Sequence, residues 1–299
     1  MTESSKALKS LKQAANYAKL AMHDLGPRSY KKGQGALMKV VAKFGEGGSI
    51  DKKQLERQLG WRSGEVRQVA EKAQANGYAE KDPTADVDGH DACRKICILA
   101  AIAFGRHIYP EQVPTQGIAG VTLADVDYAE SAGKKIKLLG RAIRREDGKV
   151  CAYVAPHLVD QSNPLAGVED VFNAISVRGD AIGDVMFYGR GAGKLPTASA
   201  VVADVIDVAR NMGHRKALSW EPGGEDAACG TDALASRWYV RAKAPVDALR
   251  SALPGCKLLA RREGGGDESA CLTGSPLTQG ELEQALAGLE CRSVIRVLD

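Results

Sequence analysis

The sequence lacks an apolar run long enough to span a membrane. The longest run, Ile96–Phe104, has nine residues, whereas a membrane-spanning helix needs roughly 20. The opening residues MTESSKALKS contain no apolar segment of the kind found in secretory signals. Apolar residues make up 44% and charged residues 26% of the chain, as in folded soluble proteins. We therefore expect a cytoplasmic protein without a membrane partner.

Paired cysteine motifs are also missing. The chain has seven cysteines and no CxxC or CxC pair, so we expect reduced thiols, with neither a disulfide framework nor a structural zinc site. His90, Cys93 and Cys97 have helical spacing, but no second cluster completes a set of metal ligands. The motifs of P-loop nucleotide-binding proteins, serine hydrolases and zinc proteases are absent. No metal is expected.

Charge is distributed unevenly along the 299 residues, a length that suggests two or three domains. Residues 1–78 hold 15 Lys and Arg against 7 Asp and Glu, a net charge of +8, while the remainder has a net charge of −4. This asymmetry indicates either an N-terminal module that faces a polyanion or a solvated lysine-rich surface.

Helical patterns in residues 1–78 resemble a winged helix. Two short helices joined by a glycine-containing turn follow a longer apolar helix, as in the DNA-binding core of MarR-type regulators. The helix near Ser63 would enter the major groove, where arginine and glutamine contact base edges and lysine contacts phosphate. Its candidate DNA-binding residues are Arg62, Ser63, Arg67, Gln68 and Lys72. A plain helical dimerisation arm would have a similar pattern.

A carboxylate-rich loop runs into an apolar helix in the string GYAEKDPTADVDGHDACRK, residues 77–95. Asp91 and Lys95 are four residues apart, so they share one face at the start of that helix. Together they form either part of a functional site or an ordinary surface ion pair.

This string resembles the signature of homoserine dehydrogenases, and the resemblance continues through GIAGVTLADVDYAESAGKKIKLLG and NPLAGVEDVFNAISVRGDAIGDVMFYGRGAGKLPTASAVVADVIDVAR. It implies that residues 79–215 form the family's substrate and dimerisation domain, an α+β layer with a strand meander, in a homo-oligomer. The sequence agrees: Thr122 can cap a helix, and Asp147-Gly148 predicts a hairpin between two strands. Thr197 or Ser199 is expected to open a later helix.

The resemblance also implies a reaction, the NAD- or NADP-dependent interconversion of aspartate 4-semialdehyde and homoserine. Lys95 matches the catalytic lysine and Asp91 the carboxylate that orients it. The substrate-binding residues would be Glu80, which meets the amino group, together with Asp86 and Tyr78. The same loop could instead be inherited scaffolding without turnover.

Three glycines are the candidate residues near the cofactor. Gly189, Gly191 and Gly193 lie between a strand and a helix, and in the family this loop is close to the cofactor. The GxGxG spacing is not the GxGxxG of a dinucleotide-binding fold, however, and that fold has no match in residues 1–78. Either another chain supplies a cofactor domain or the cofactor binds poorly. A tight packing loop is the alternative role for the three glycines.

Residues 235–299 show the element order βαββαβ, which is ferredoxin-like. They resemble the ACT domains that bind amino acids, although Lys243-Ala244-Pro245-Val246 replaces the usual glycine of the first turn. A purely dimerising sheet is the alternative. The sequence thus predicts an α+β multidomain protein of homoserine dehydrogenase type. A competing hypothesis is a DNA-binding regulator whose other domains sense homoserine, threonine or a related amino acid, and a third is a protein with neither activity.

Overall fold

The computed structural model describes residues 84–169, 172–213, 220–224, 227–261 and 266–299. These residues fall into two compact units, one formed by 84–167 with the described part of 216–299, and the other by the described part of 168–215. The predicted winged helix of residues 1–78 lies outside the described residues. The predicted domain boundaries at residues 78, 215 and 235 therefore stay predictions.

The first unit begins with two helices, α1 (Thr84–Val87) and α2 (His90–Phe104). Gly89 separates them with a φ of 83°, a left-handed conformation that favours glycine. The apolar face of α2 packs on the sheet through Cys93, Ile96, Cys97 and Ala100. A third helix, α3 (Leu123–Ser131), starts at Thr122, as predicted.

The hairpin predicted at Asp147-Gly148 is present. Strands β1 (Lys134–Arg144) and β2 (Val150–Asp160) pair antiparallel along their whole lengths, from Lys134 opposite Asp160 to Arg144 opposite Val150. Gly148 has a φ of 80° in the connecting turn, which a residue with a side chain adopts only with strain. Nearly every residue of β2 is buried, so this strand is the centre of the unit.

The C-terminal elements appear in the predicted βαββαβ order. They are β6 (Trp238–Ala242), α5 (Val246–Ala252), β7 (Lys257–Leu259), β8 (Ser269–Leu272), α6 (Gln279–Ala285) and β9 (Cys291–Val297). The helices bury Leu249 and Leu282 against these strands. The resemblance to ACT domains stays a prediction, because this element order does not by itself indicate effector binding.

The sequence does not predict how these strands join the rest of the unit. Strand β9 pairs parallel with β2, with His157 opposite Arg296 and Leu158 opposite Val297. The strand order in this sheet is therefore β1-β2-β9-β6-β8-β7. The short strand β5 (Ala228–Cys229) pairs with β2 as well. Residues 84–167 and the C-terminal elements consequently share one continuous sheet.

One expectation about cysteine is wrong. Cys151 on β2 and Cys229 on β5 form a disulfide, with Cα atoms 4.9 Å apart. The two residues are directly opposite each other in parallel strands that are 78 residues apart in sequence, so no local motif marks the pair. The thiols of Cys93, Cys97 and Cys271 are free and buried, whereas that of Cys291 is free and exposed.

The second unit contains a hairpin and a long helix. Strands β3 (Phe172–Gly179) and β4 (Gly183–Arg190) form a separate two-stranded sheet, so the strand meander is not one continuous sheet among the described strands. Helix α4 is Lys194–Arg210, with Gly193 at its N-cap, and it starts earlier than Thr197 or Ser199. Pro196 lies in its first turn, where proline is tolerated because the missing N–H has no helical partner. No helix of the described ranges is long and apolar enough to cross a membrane.

Candidate functional site

Lys95 and Asp91 form the ion pair that their spacing predicts. Lys95 Nζ is 2.7 Å from Asp91 Oδ2, on the first turns of α2. The side chains are 56% and 42% exposed, respectively, so a small molecule in solution can reach them. Such an exposed pair adds little stability. Its value for chemistry is that a carboxylate holds one ammonium group in a fixed direction.

The loop before α2 is anchored by backbone contacts. Ile118 N donates a 2.8 Å hydrogen bond to Val87 O. A Cβ on Gly117 would lie 2.3 Å from the same oxygen, so no larger residue fits there. Asp86 is exposed on α1, and in the described part of the chain it makes no hydrogen bond to Asp91 or Lys95. The structure therefore brings together Asp91 and Lys95, with Asp86 on the short helix α1 that precedes α2.

The three glycines of the GxGxG loop lie in the other unit. Gly189 ends β4, and Gly193 has a φ of 116° at the start of α4. A Cβ on Gly191 would lie 1.9 Å from Asn173 Nδ2, so close packing against that side chain explains this glycine. Because β3 and β4 are antiparallel, the loop is not the parallel strand–turn–helix of a dinucleotide-binding fold. These residues alone do not fit the cofactor.

The sequence matches the homoserine dehydrogenase family over residues 57–206. The chain belongs to the homoserine dehydrogenase family. The homoserine dehydrogenase of Neisseria gonorrhoeae is 43% identical over 184 residues, 59% of this chain and 42% of that protein. The homoserine dehydrogenase of Pseudomonas aeruginosa is 50% identical over 144 residues, 48% of this chain and 33% of that protein.

Solved structures give the same assignment. The homoserine dehydrogenase of Staphylococcus aureus at pH 6.0 superposes with a TM-score of 0.60 at 36% identity, covering 78% of this chain and 59% of that one. That of Thiobacillus denitrificans gives a TM-score of 0.62 at 32% identity, covering 78% and 58%. The chain thus spans less than half the length of the curated relatives above and about three-fifths of these solved chains.

The family match includes every candidate residue predicted from sequence. Lys95, Asp91 and Asp86 lie within it, as do the three loop glycines. Glu80 and Tyr78 also fall inside the matched range, but they lie outside the described residues. So do the candidate DNA-binding residues Arg62, Ser63, Arg67, Gln68 and Lys72, which belong to a stretch that this family accounts for.

A buried ionic cluster escapes prediction from sequence. Asp125 is 0% exposed and accepts hydrogen bonds from Arg241 Nε at 2.8 Å and Tyr239 Oη at 3.0 Å. Burial alone would raise the pKa of Asp125, but hydrogen bonds from Arg241 and Thr122 outweigh it and the pKa is lowered. Glu268 accepts a second bond from Arg241, at 2.7 Å. A local signal existed only for Asp125, because Thr122-x-x-Asp125 has the spacing of a helix cap.

A second buried group, His157, lies on β2. Its Nδ1 is 2.9 Å from Ala155 O and its Nε2 is 3.2 Å from Tyr153 Oη. Burial, with Arg141 and Arg296 nearby, lowers the pKa of His157 to about 4, so the ring is neutral near pH 7. In the described ranges, no three His, Cys, Asp or Glu side chains are grouped to hold a metal ion.

Proposed function

We propose that this chain carries the substrate-binding and proton-donating part of a homoserine dehydrogenase reaction, the interconversion of L-aspartate 4-semialdehyde and L-homoserine. The observation that supports it is the accessible Asp91–Lys95 pair, with its 2.7 Å separation, within the family's matched range. NADH or NADPH supplies the hydride of this reaction when bound.

The proposed role of Lys95 follows from the charge that develops on the substrate. When the C4 carbonyl carbon accepts a hydride, its oxygen becomes an alkoxide that needs one proton. Lys95 Nζ donates that proton, and its positive charge stabilises the alkoxide as it forms. In the reverse direction the neutral amine accepts the hydroxyl proton of homoserine. Asp91 keeps the ammonium oriented through both directions.

The carboxylates that precede α2 are proposed to hold the substrate's cationic amino group. Glu80 is assigned this contact, with Asp86 and Tyr78 as further substrate-binding residues. A cationic ligand explains why several acidic side chains are concentrated before an apolar helix, where their mutual repulsion is otherwise unfavourable.

Turnover by the full chain tests the role of Lys95. The rate of NADPH or NADH consumption with aspartate 4-semialdehyde should fall by about 100-fold or more in Lys95→Ala, the usual range for a lost general acid. Arg94→Ala, which removes a neighbouring exposed charge, is the matched control and should keep its activity. Equal rates in the wild type and Lys95→Ala would contradict the proposal.

A binding measurement separates catalysis from inherited scaffolding. Calorimetric titration with homoserine should give a saturable signal in the wild type and a weaker one in Glu80→Gln. Binding without turnover would favour a sensing or scaffolding role. If the chain shows no homoserine binding and no turnover, both the catalytic and the sensing interpretation are wrong.

The C-terminal elements are proposed to form an ACT-like domain with threonine or a related amino acid as effector, in a cytoplasmic homo-oligomer. A sheet that serves only for dimerisation is the competing proposal. Nothing in the comparisons supports the DNA-binding alternative, and we do not propose it.

A further inference from the structure

A small cavity in the sheet unit lies away from the Asp91–Lys95 pair. Its volume is about 120 Å³, and its polar wall is formed by Arg141 on β1, Tyr153 on β2, and Ser236 just before β6. Asp299 also lines the cavity, and its carboxylate pairs with Arg237. The remaining wall is largely apolar and includes Ile143, Leu234 and Val297.

Two guanidinium groups, those of Arg141 and Arg296, flank this cavity, and the carboxylate of Asp299 that also lines it is paired with Arg237 instead. Arg141 Cζ lies 6.0 Å and Arg296 Cζ 5.2 Å from the centre of the Tyr153 ring. Arg296 is 4% exposed, and within the described residues neither arginine forms an ion pair. Burial, together with repulsion from Arg141, lowers the pKa of Arg296, although Tyr153 and Asp232 act in the opposite direction. The two guanidinium groups thus make the electrostatic potential beside the cavity more positive, and Asp232 acts against this at Arg296.

Among the described residues, Arg141 uses one of its N–H donors in a hydrogen bond, and the others lie at the cavity wall without an acceptor. Ala155 O can only accept, so His157 Nδ1 carries the proton and Nε2 accepts from Tyr153 Oη. The Tyr153 oxygen in turn accepts one bond from Arg141 Nη1, at 3.1 Å. A guanidinium has five N–H donors, and the described residues provide no other acceptor for those of Arg141.

Ser236 supplies a further donor from the opposite side. Its side chain is buried, with 7% of the residue exposed, and its Oγ accepts a 3.0 Å bond from Arg296 Nη1. The hydroxyl proton has no acceptor among the residues that the structure describes. A buried donor without a partner is unfavourable unless something in the cavity accepts from it.

We propose that this cavity binds a small oxyanion, either a carboxylate or inorganic phosphate. The anion would accept from the free edge of the Arg141 guanidinium and from Ser236 Oγ, and it would neutralise the field of Arg296. A planar guanidinium fork matches the paired oxygens of either anion. The apolar wall favours a carboxylate with a short hydrocarbon side over a larger, fully polar ligand.

Titration of the full chain with sodium acetate and, separately, with sodium phosphate tests this site. Ionic strength is held constant with sodium chloride, so that general salt effects cancel. Trp238 reports on the site, since its ring lies 4.2 Å from Arg296 Cζ. We expect a saturable fluorescence change and a rise in the thermal unfolding midpoint with at least one anion. The anion whose titration saturates shows whether the ligand is a carboxylate or phosphate. If neither titration saturates, the proposal is overturned.

Variants assign the binding to the cavity. Arg141→Gln and Ser236→Ala should each weaken anion binding, Arg141→Gln by about tenfold, as for the loss of a charged hydrogen bond. Arg145→Gln is the matched control, because it removes the same charge from a surface pair with Asp147 just beyond β1. Equal weakening in Arg141→Gln and Arg145→Gln would overturn the site. If Arg141→Gln does not fold, Ser236→Ala carries the comparison alone.

Discussion

Asp125 carries a negative charge where water does not reach it. Its oxygens accept from Arg241, Tyr239 and Thr122, so a helix of the central region is tied to strand β6 by charge-assisted hydrogen bonds. Burying such a pair costs much of what the attraction contributes, but removing one partner leaves the other charge uncompensated. The pair therefore specifies how α3 sits on β6 more than it adds net stability.

Asp125→Asn should lower the free energy of unfolding by about 3 kcal/mol, the lower end for a broken buried pair, because Arg241 keeps Glu268. Asp127→Asn on the same helix is the control, since its pair with Arg261 is partly exposed and should contribute under 1 kcal/mol. Chemical denaturation near pH 7 measures both. Equal effects would contradict the proposed role of the buried pair.

The same residue predicts a pH dependence. A lowered pKa in the folded state means that this stabilisation is present above the carboxyl's unfolded pKa, about 3.9, and is lost as pH falls toward the folded pKa. The difference in unfolding free energy between the wild type and Asp125→Asn should therefore shrink below about pH 4. A difference that stays constant from pH 7 to pH 3 would contradict this linkage.

The contrast between the two ion pairs shows what sequence can predict. Asp91 and Lys95 are one helical turn apart, and helix geometry alone places them together. Asp125 and Arg241 are 116 residues apart, so only the tertiary fold joins them. The same reason explains why the Cys151–Cys229 disulfide was not expected.

At the scale of elements, helix starts follow local rules. Helices α3 and α6 both begin with a capping box, in which Thr122 and Thr278 each exchange hydrogen bonds with the acidic residue three positions on. Sequence could therefore predict these starts. The start of α4 was predicted late, because the left-handed Gly193 that begins it is a backbone feature rather than a side-chain cap.

The two caps allow a matched comparison. Thr278→Ala removes an exposed cap and should cost about 1 kcal/mol. Thr122→Ala removes the same cap and also the oxygen that accepts from Arg241 Nη2 at 3.0 Å, so we expect about 2 kcal/mol, the upper end for such caps. Urea unfolding of both variants checks the order. A larger loss in Thr278→Ala would show that the Arg241 contact adds nothing.

At the scale of the whole molecule, the continuous sheet makes residues 84–167 and the C-terminal elements one unit. Leu158 packs with Tyr239 and Ile295 in a single apolar cluster, and Leu298 N donates to Leu158 O at 2.9 Å. The sequence predicted most strands of both parts, and the β1–β2 hairpin, but not the pairing of β9 with β2 that joins the two parts. Nothing in the local pattern of β9 specifies a partner so distant along the chain.

Continuity of the sheet predicts cooperative loss of structure. Leu249→Ala, at a position on α5 that is 0% exposed, should cost about 2–5 kcal/mol. Amide hydrogen exchange should then speed up in β1 and β2 as well as in β6 to β9. Leu195→Ala is the control, because Leu195 is 83% exposed on α4. Faster exchange confined to the C-terminal strands would contradict a single cooperative unit.

The position of β9 between β2 and β6 also has a consequence for biosynthesis. During translation β2 leaves the ribosome long before β9 does, so the part of this apolar strand that pairs with β9, at His157 and Leu158, has an unpaired edge until then. An unpaired strand edge of this kind can pair with other chains and lead to aggregation. The nascent polypeptide is therefore most prone to aggregate in the interval before its residues near 297 emerge, and it is then that a chaperone would protect it most.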